Sequence, residues 1–301
     1  MHLFGEFVKA GLCANRGIAV RALPRHNASA ATRMETFYDT HAHLTFPDFE
    51  RDISGLRARA AAAGITRIIT IGTDLESSQR AVALAEAHAT VYAVVGWHPN
   101  DLAEAPEDVR PELRELCAHP KVVAIGETGI DHFRLPSGNG GTAEDDAIWK
   151  ERQVNIFRQQ LELAAELNLN TVIHQRAALE PTLEIFEEYA DRVRGQFHCF
   201  VDDAASMRRV LALGSLVSFT GIVTFKNAQE VRDTVAATPI DKLMVETDSP
   251  FLAPMPFRGK RCEPAYTRHT AERVAEVKGV SLAELSEATC ATAHAFFPKL
   301  N

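Results

Sequence analysis

The chain has 301 residues, 46% of them hydrophobic and 24% charged, with a formal net charge of −8 at neutral pH. That balance fits a soluble globular chain able to bury a sizeable core, and no apolar run approaches the roughly 18 residues that a membrane-spanning helix needs. An acidic surface excludes broad, non-specific binding to a phosphate backbone, so any polyanion site must be local, with bound divalent cations able to reverse the sign inside an acid-lined cleft.

Five cysteines (Cys13, Cys117, Cys199, Cys262 and Cys290) contain no CxxC pair. They point to a reducing, cytoplasmic setting without a disulfide framework or a cysteine-built zinc site. Length alone suggests about two domains, but α/β barrels often run to about 250 residues as one.

Residues 1–35 carry Lys9, Arg16, Arg21, Arg25 and Arg33 against only Glu6 and Glu35. The composition is that of a transit peptide or an over-long start, and Met34 stands just before the first patterned segment. Residues 1–35 are expected to be a disordered extension or a stretch upstream of the true start, and 36–301 a single domain.

From Phe37 the chain alternates short β-branched runs with longer amphipathic stretches. In chain order, a strand is expected over 37–41, a helix over 55–63, a strand over 65–71, a helix over 77–88, a strand over 91–96, a helix over 106–118 and a strand over 122–125. Residues 135–146, LPSGNGGTAEDD, read as a mobile loop, either a lid or a tolerated insertion. A helix follows over 149–168, where Phe157, Leu161, Ala164 and Leu167 recur at helical spacing. Next come a strand over 171–173, a helix over 179–189, a strand over 196–199, a helix over 204–213, a strand over 216–219, a helix over 227–237 and a strand over 242–245. Eight strands with intervening helices predict a closed (β/α)8 TIM barrel of the α/β class. A doubly wound open sheet fits less well, because no Gly-rich nucleotide turn follows the first strand.

The first strand runs into FYDTHAHL, in which His41 and His43 lie two apart and so share one side of the strand. An HxH arises by chance about half the time in a chain with this many histidines, so partners decide its meaning. Glu127 follows the fourth strand, His174 ends the fifth, His198 lies on the sixth and Asp248 follows the eighth. Singly, each has an ordinary structural role as a hydrogen-bonded histidine or a helix cap. Together they fall at the end of a barrel where chemistry sits.

Four histidines and two carboxylates over-supply one ion but suit two divalent cations such as zinc, magnesium or manganese, roughly 3.5–4 Å apart. The simplest partition gives one ion His41, His43 and Asp248, gives the other His174 and His198, and lets Glu127 bridge. A water held by the metals is then the expected nucleophile, with Asp248 placed to shuttle its proton.

The segments YDTHAHL, VVGWHPND, AIGETGID, TVIHQR, QFHCF, TGIVTFKNA, ETDSPFLAPMPFRGK and EPAY, in this order from Phe37 onward, resemble the TatD family of metal-dependent hydrolases within the amidohydrolase superfamily. The resemblance implies a barrel, hydrolysis of DNA phosphodiesters, often as a 3′ to 5′ exonuclease, and a metal pattern that falls on His41, His43, Glu127, His174, His198 and Asp248. It also places the bridging carboxylate at Glu127, where many superfamily relatives carry a carbamylated lysine. Among matched positions, His98 is a candidate phosphate-oxygen donor, and Arg134, Arg176, Lys226, Arg258 and Lys260 are candidate phosphate contacts.

The chain departs from the family pattern in four places. Gln175 and Ala177 stand where IHSRDA has a serine and an acid, Val201 and Asp202 replace a small flexible pair after FHCF, Cys262 replaces an asparagine, and Thr292 stands where an asparagine is common. None is a metal ligand, so these changes bear on substrate preference. The expected activity is therefore a two-metal exodeoxyribonuclease, a monomer acting on single-stranded DNA or 3′ ends. The alternatives are an ester or amide hydrolase on the same site, such as a D-aminoacyl-tRNA deacylase, and a non-catalytic binding protein on a retained barrel.

Overall fold

Alternation along the strands sorts their apolar residues into two sets, and the two sets build two layers of core. In the computed structural model, which describes residues 34–300, eight parallel strands pair strictly in chain order. They are β1 (Phe37–Ala42), β2 (Ile65–Ile71), β3 (Val91–Val95), β4 (Val122–Asp131), β5 (Asn170–Arg176), β6 (Gly195–Phe197), β7 (Leu216–Phe219) and β8 (Leu243–Val245). Seven helices connect them: α1 (Ile53–Ala62), α2 (Leu75–Ala87), α3 (Arg110–Cys117), α4 (Ala143–Leu167), α5 (Leu179–Glu187), α6 (Ala204–Ala212) and α7 (Gln229–Ala237). The predicted barrel is the observed one.

Closure between β8 and β1 comes at the carboxyl ends of the strands. Asp248 N–H donates to His41 O (2.9 Å), His43 N–H to Ser249 O (2.7 Å), and the Thr40 hydroxyl to Val245 O (3.2 Å). The seam thus passes directly through the candidate ligands.

Outward-facing strand residues such as Ile68, Ala93, Val95, Ile125 and Phe197 pack under the helices. Inward-facing Ile69, Ile71, Val94, Val172 and Met244 form a separate core, capped at the end where the strands begin by Phe296, Phe297 and Leu300. Two helices beyond the expected set supply that cap and its support, α8 (Thr267–Lys278) and α9 (Leu282–Phe296).

Several boundaries differ from expectation for identifiable reasons. β4 continues past 125 to Asp131, because Gly126 is not a strand stop but part of a bulge, where the register with β5 shifts between Ile125 and Thr128. α4 begins at Ala143, inside the expected loop, since Thr142 caps the helix by accepting from Asp145 N–H and its acids sit in the first turn. His198 lies just beyond β6 rather than on it. Of the expected extension, residues 1–33 lie outside the described residues, while Glu35 pairs with Arg268 at 3.2 Å. No helix among the described residues is long and apolar enough to cross a membrane.

Candidate active site

Each donor reaches the site by a local backbone device. His41 and His43 use the strand period at the end of β1, and their Nε2 atoms lie 3.3 Å apart. Glu127 is turned inward by the β4 bulge, which requires glycine on both sides. Gly126 and Gly129 both have φ +138°, and a Cβ would stand 2.4 Å from Val172 O at the first and 2.0 Å from His174 O at the second. Asp248 adopts a left-handed backbone (φ 59°) beyond β8, held by its N–H bond to His41 O.

The donors divide between the two oxygens of Glu127. Oε2 lies 3.5 Å from His41 Nε2 and 3.6 Å from His43 Nε2, and those nitrogens lie 3.6 and 3.3 Å from Asp248 Oδ1. Oε1 lies 3.1 Å from His174 Nδ1 and 2.7 Å from His198 Nε2, themselves 3.2 Å apart. Ligand atoms of a tetrahedral ion with bonds of about 2.0–2.1 Å are separated by about 3.3–3.4 Å, so the first set has the edges of such a cage. Four imidazole nitrogens and three carboxylate oxygens thus converge in a way that suits divalent cations, with Glu127 facing both sets.

Positions around the donors fix their orientation. His174 Nε2 meets Asp131 Oδ2 at 3.1 Å, which leaves Nδ1 for the site, and Asp131 is itself held by Asn100 Nδ2 (2.9 Å) and by the N–H groups of Phe133 (2.8 Å) and Arg134 (2.9 Å). Beneath the site, the fully buried Glu246 accepts from Cys199 N–H (2.7 Å) and Gln196 Nε2 (2.9 Å). Fully buried Asp39 accepts from Thr247 N–H (2.9 Å) and its hydroxyl (2.6 Å), and burial drives its pKa up to about 8. Neither acid, nor Asp131, was singled out from sequence, although each lies inside a quoted motif.

Burial and charge oppose each other here. Burial raises the Glu127 carboxyl, but the neighbouring His198 imidazole and the hydrogen bond from His174 outweigh it and hold it well below the usual range. Burial likewise raises Asp248, and His43 and His41 bring it down. Burial lowers His174, but its bonds to Asp131 and Glu127 raise it to about 9. His98 goes the other way: burial, then neighbouring His174, push it to about 3, so its ring is neutral. Its Nδ1 accepts from Asn100 N–H (3.1 Å), leaving a proton on Nε2, 3.6 Å from Glu127 Oε1.

The site opens into a cleft of about 560 Å³ whose lining includes His98, Arg134 and Arg176 beside the candidate donors. Lys226, Arg258 and Lys260 are exposed and lie outside that lining, Arg258 stacking on the Phe225 ring at 4.3 Å. Two departures from the family pattern meet at the rim, where Gln175 Nε2 donates to the Asp202 carboxylate. The residue after β5's histidine and the loop after β6 have therefore changed as partners, and Val201 beside them is exposed to the cleft.

A barrel with clustered histidines and carboxylates at the carboxyl ends of its strands defines a metal-dependent hydrolase. The family model described as TatD related DNase matches residues 38–298. The chain belongs to that family. It is 40% identical over 261 residues to the Bacillus subtilis (strain 168) protein named "Uncharacterized metal-dependent hydrolase YabD", covering 86% of this chain and 98% of that relative. It is 33% identical over 266 residues to the Shigella flexneri serotype 5b protein named "3'-5' ssDNA/RNA exonuclease TatD", covering 86% and 98% of the two chains. Among solved structures, YJJV, a TatD homolog from Escherichia coli k12, matches with a TM-score of 0.80 at 28% identity, over 88% of this chain and 99% of that one.

Proposed function

We propose that this hydrolase cleaves phosphodiester bonds of single-stranded DNA from the 3′ end through two divalent cations. One observation carries the reading: Glu127 Oε2 faces His41 and His43 while its Oε1 faces His174 and His198. His41, His43 and Asp248 would hold one ion, His174 and His198 the other, with Glu127 between them. Bound there, the ions supply Lewis acidity toward a phosphoryl oxygen and increase the acidity of water.

The chain's own groups do the rest. Asp248, ionised and facing the first set, accepts the proton of the attacking water. Neutral His98 offers its Nε2 proton to a phosphoryl oxygen. Arg134 and Arg176 on the cleft wall position phosphates, and Lys226, Arg258 and Lys260 on the surface outside it would meet phosphates farther along the strand. These local cations answer the net charge of −8. The name of the Shigella relative, a 3′-5′ ssDNA/RNA exonuclease, supports both polarity and substrate class. The free state of Cys117, Cys199, Cys262 and Cys290 supports a reducing, cytoplasmic setting.

The test is turnover of a 3′-labelled single-stranded oligonucleotide by metal-stripped protein reconstituted in turn with magnesium, manganese and zinc, beside Glu127→Ala. Stepwise shortening that needs metal and is lost in the variant is expected. An intact oligonucleotide despite two bound ions would remove DNA as substrate and make aminoacyl esters the next compounds to assay.

A further inference from the structure

Phe133 is 63% and Phe251 50% exposed, and among the described residues they are the exposed aromatics. Both stand beside the site. Phe251 lines the cleft, its N–H donates to Asp248 O (2.9 Å), and its ring meets Phe46 edge-on at 5.7 Å and lies 6.3 Å from the His43 ring. Phe133 is tied to the other half of the site, because its N–H donates to the carboxylate of Asp131, which orients His174. The Arg176 guanidinium lies 3.8 Å over the Phe133 ring while also lining the cleft.

Each half of the donor set therefore carries a flat π surface left largely open to solvent, the Phe251 ring on one side and the Phe133 ring with the Arg176 guanidinium stacked over it on the other. Leaving an aromatic half exposed forfeits burial that the fold could otherwise gain, and here two stand exposed beside the site on backbone tied to Asp131 and Asp248. A nucleobase is a complementary ligand: its π face stacks on an aromatic ring or a guanidinium plane, and stacking tolerates any base. Paired bases are stacked in a duplex and their faces are not free, whereas those of an unpaired end are.

We propose that Phe251 and the Phe133–Arg176 stack are base platforms for the two nucleotides flanking the cleaved phosphate. This rests on the phosphodiester reading above, and it makes the recognised unit an unpaired dinucleotide rather than a lone phosphate. Losing one platform should cost roughly 5- to 150-fold in selectivity for a base.

The experiment compares two 3′-labelled oligonucleotides, one with its bases and one with abasic tetrahydrofuran residues at its last two positions. Readouts are kcat/KM with manganese and equilibrium binding by fluorescence anisotropy to Glu127→Gln protein. Wild type should prefer the base-bearing strand, Phe251→Ala and Phe133→Ala should each shrink that preference, and Phe251→Tyr should keep it. Equal losses on both strands, or no change in the ratio, would overturn the platforms. If wild type cuts neither strand, the nuclease reading falls, and the binding arm still decides: base preference that depends on Phe251 upholds the platforms, and its absence ends them.

Discussion

Asp131 touches no more of the donor set than one nitrogen of His174, yet that contact decides which nitrogen faces Glu127. Asp131→Asn should keep the fold and lower metal affinity about 10- to 100-fold, the usual effect of losing an outer carboxylate, as read by titration with zinc or manganese. An unchanged affinity would mean that packing alone orients the ring. Gln175 and Asp202 make a second residue-scale case. Their bond is half-buried and charge-assisted, so a double-mutant cycle of Gln175→Ala and Asp202→Ala should show a coupling of about 1–2 kcal/mol in unfolding free energy. That six metal-compatible side chains would converge was legible in the sequence, because metal chemistry restricts residue type and the barrel restricts position. Asp131 and Glu246 were not, since an acid that acts by orienting another side chain has no signature until distances are known. Phe133 and Phe251 escaped for the opposite reason, as aromatics near strand ends read as core until their exposure is seen.

At the scale of elements, the β4 bulge shows how the backbone rather than a side chain builds the centre. Gly129→Ala would place a methyl group 2.0 Å from His174 O at a φ of +138°, a collision with backbone that no rotamer relieves. Destabilisation of about 3 kcal/mol or more is expected in chemical denaturation, accompanied by weakened metal binding because His174 must move. Stability near wild type would show that β5 yields easily. The same bulge explains the boundary error in β4: glycine is the residue both of strand ends and of bulges, and only the pairing with β5 separates the two. Strands β2 and β7 were found end to end because their apolar runs are bounded by turns. The start of α4 was hidden because a capping threonine and first-turn acids have the composition of a loop.

On the scale of the whole molecule, the two ends of the barrel divide labour. One carries the donors, the other is sealed by α9 and the residues after it, where Phe296 is fully buried, meets Phe297 at right angles (4.9 Å, 88°), and has its carbonyl bonded by the Asn170 side chain at the start of β5. Phe296→Ala should leave a cavity that these rigid strand ends cannot close, costing about 3–5 kcal/mol. For a domain of this size that lowers Tm by roughly 6–20 °C. Because the cavity opens at the strand starts while His41, Glu127, His174 and Asp248 lie in or beyond the carboxyl-terminal halves of their strands, metal affinity of the folded variant should stay within about twofold of wild type, below the error of most additivity tests. Thermal unfolding with and without metal, beside a titration at a temperature where both proteins are folded, measures both quantities. A variant that lost metal as well as stability would mean that strain passes along the strands from one end to the other, and the barrel interior of Ile69, Val94, Val172 and Met244, which lies between the two, would be the path to test next.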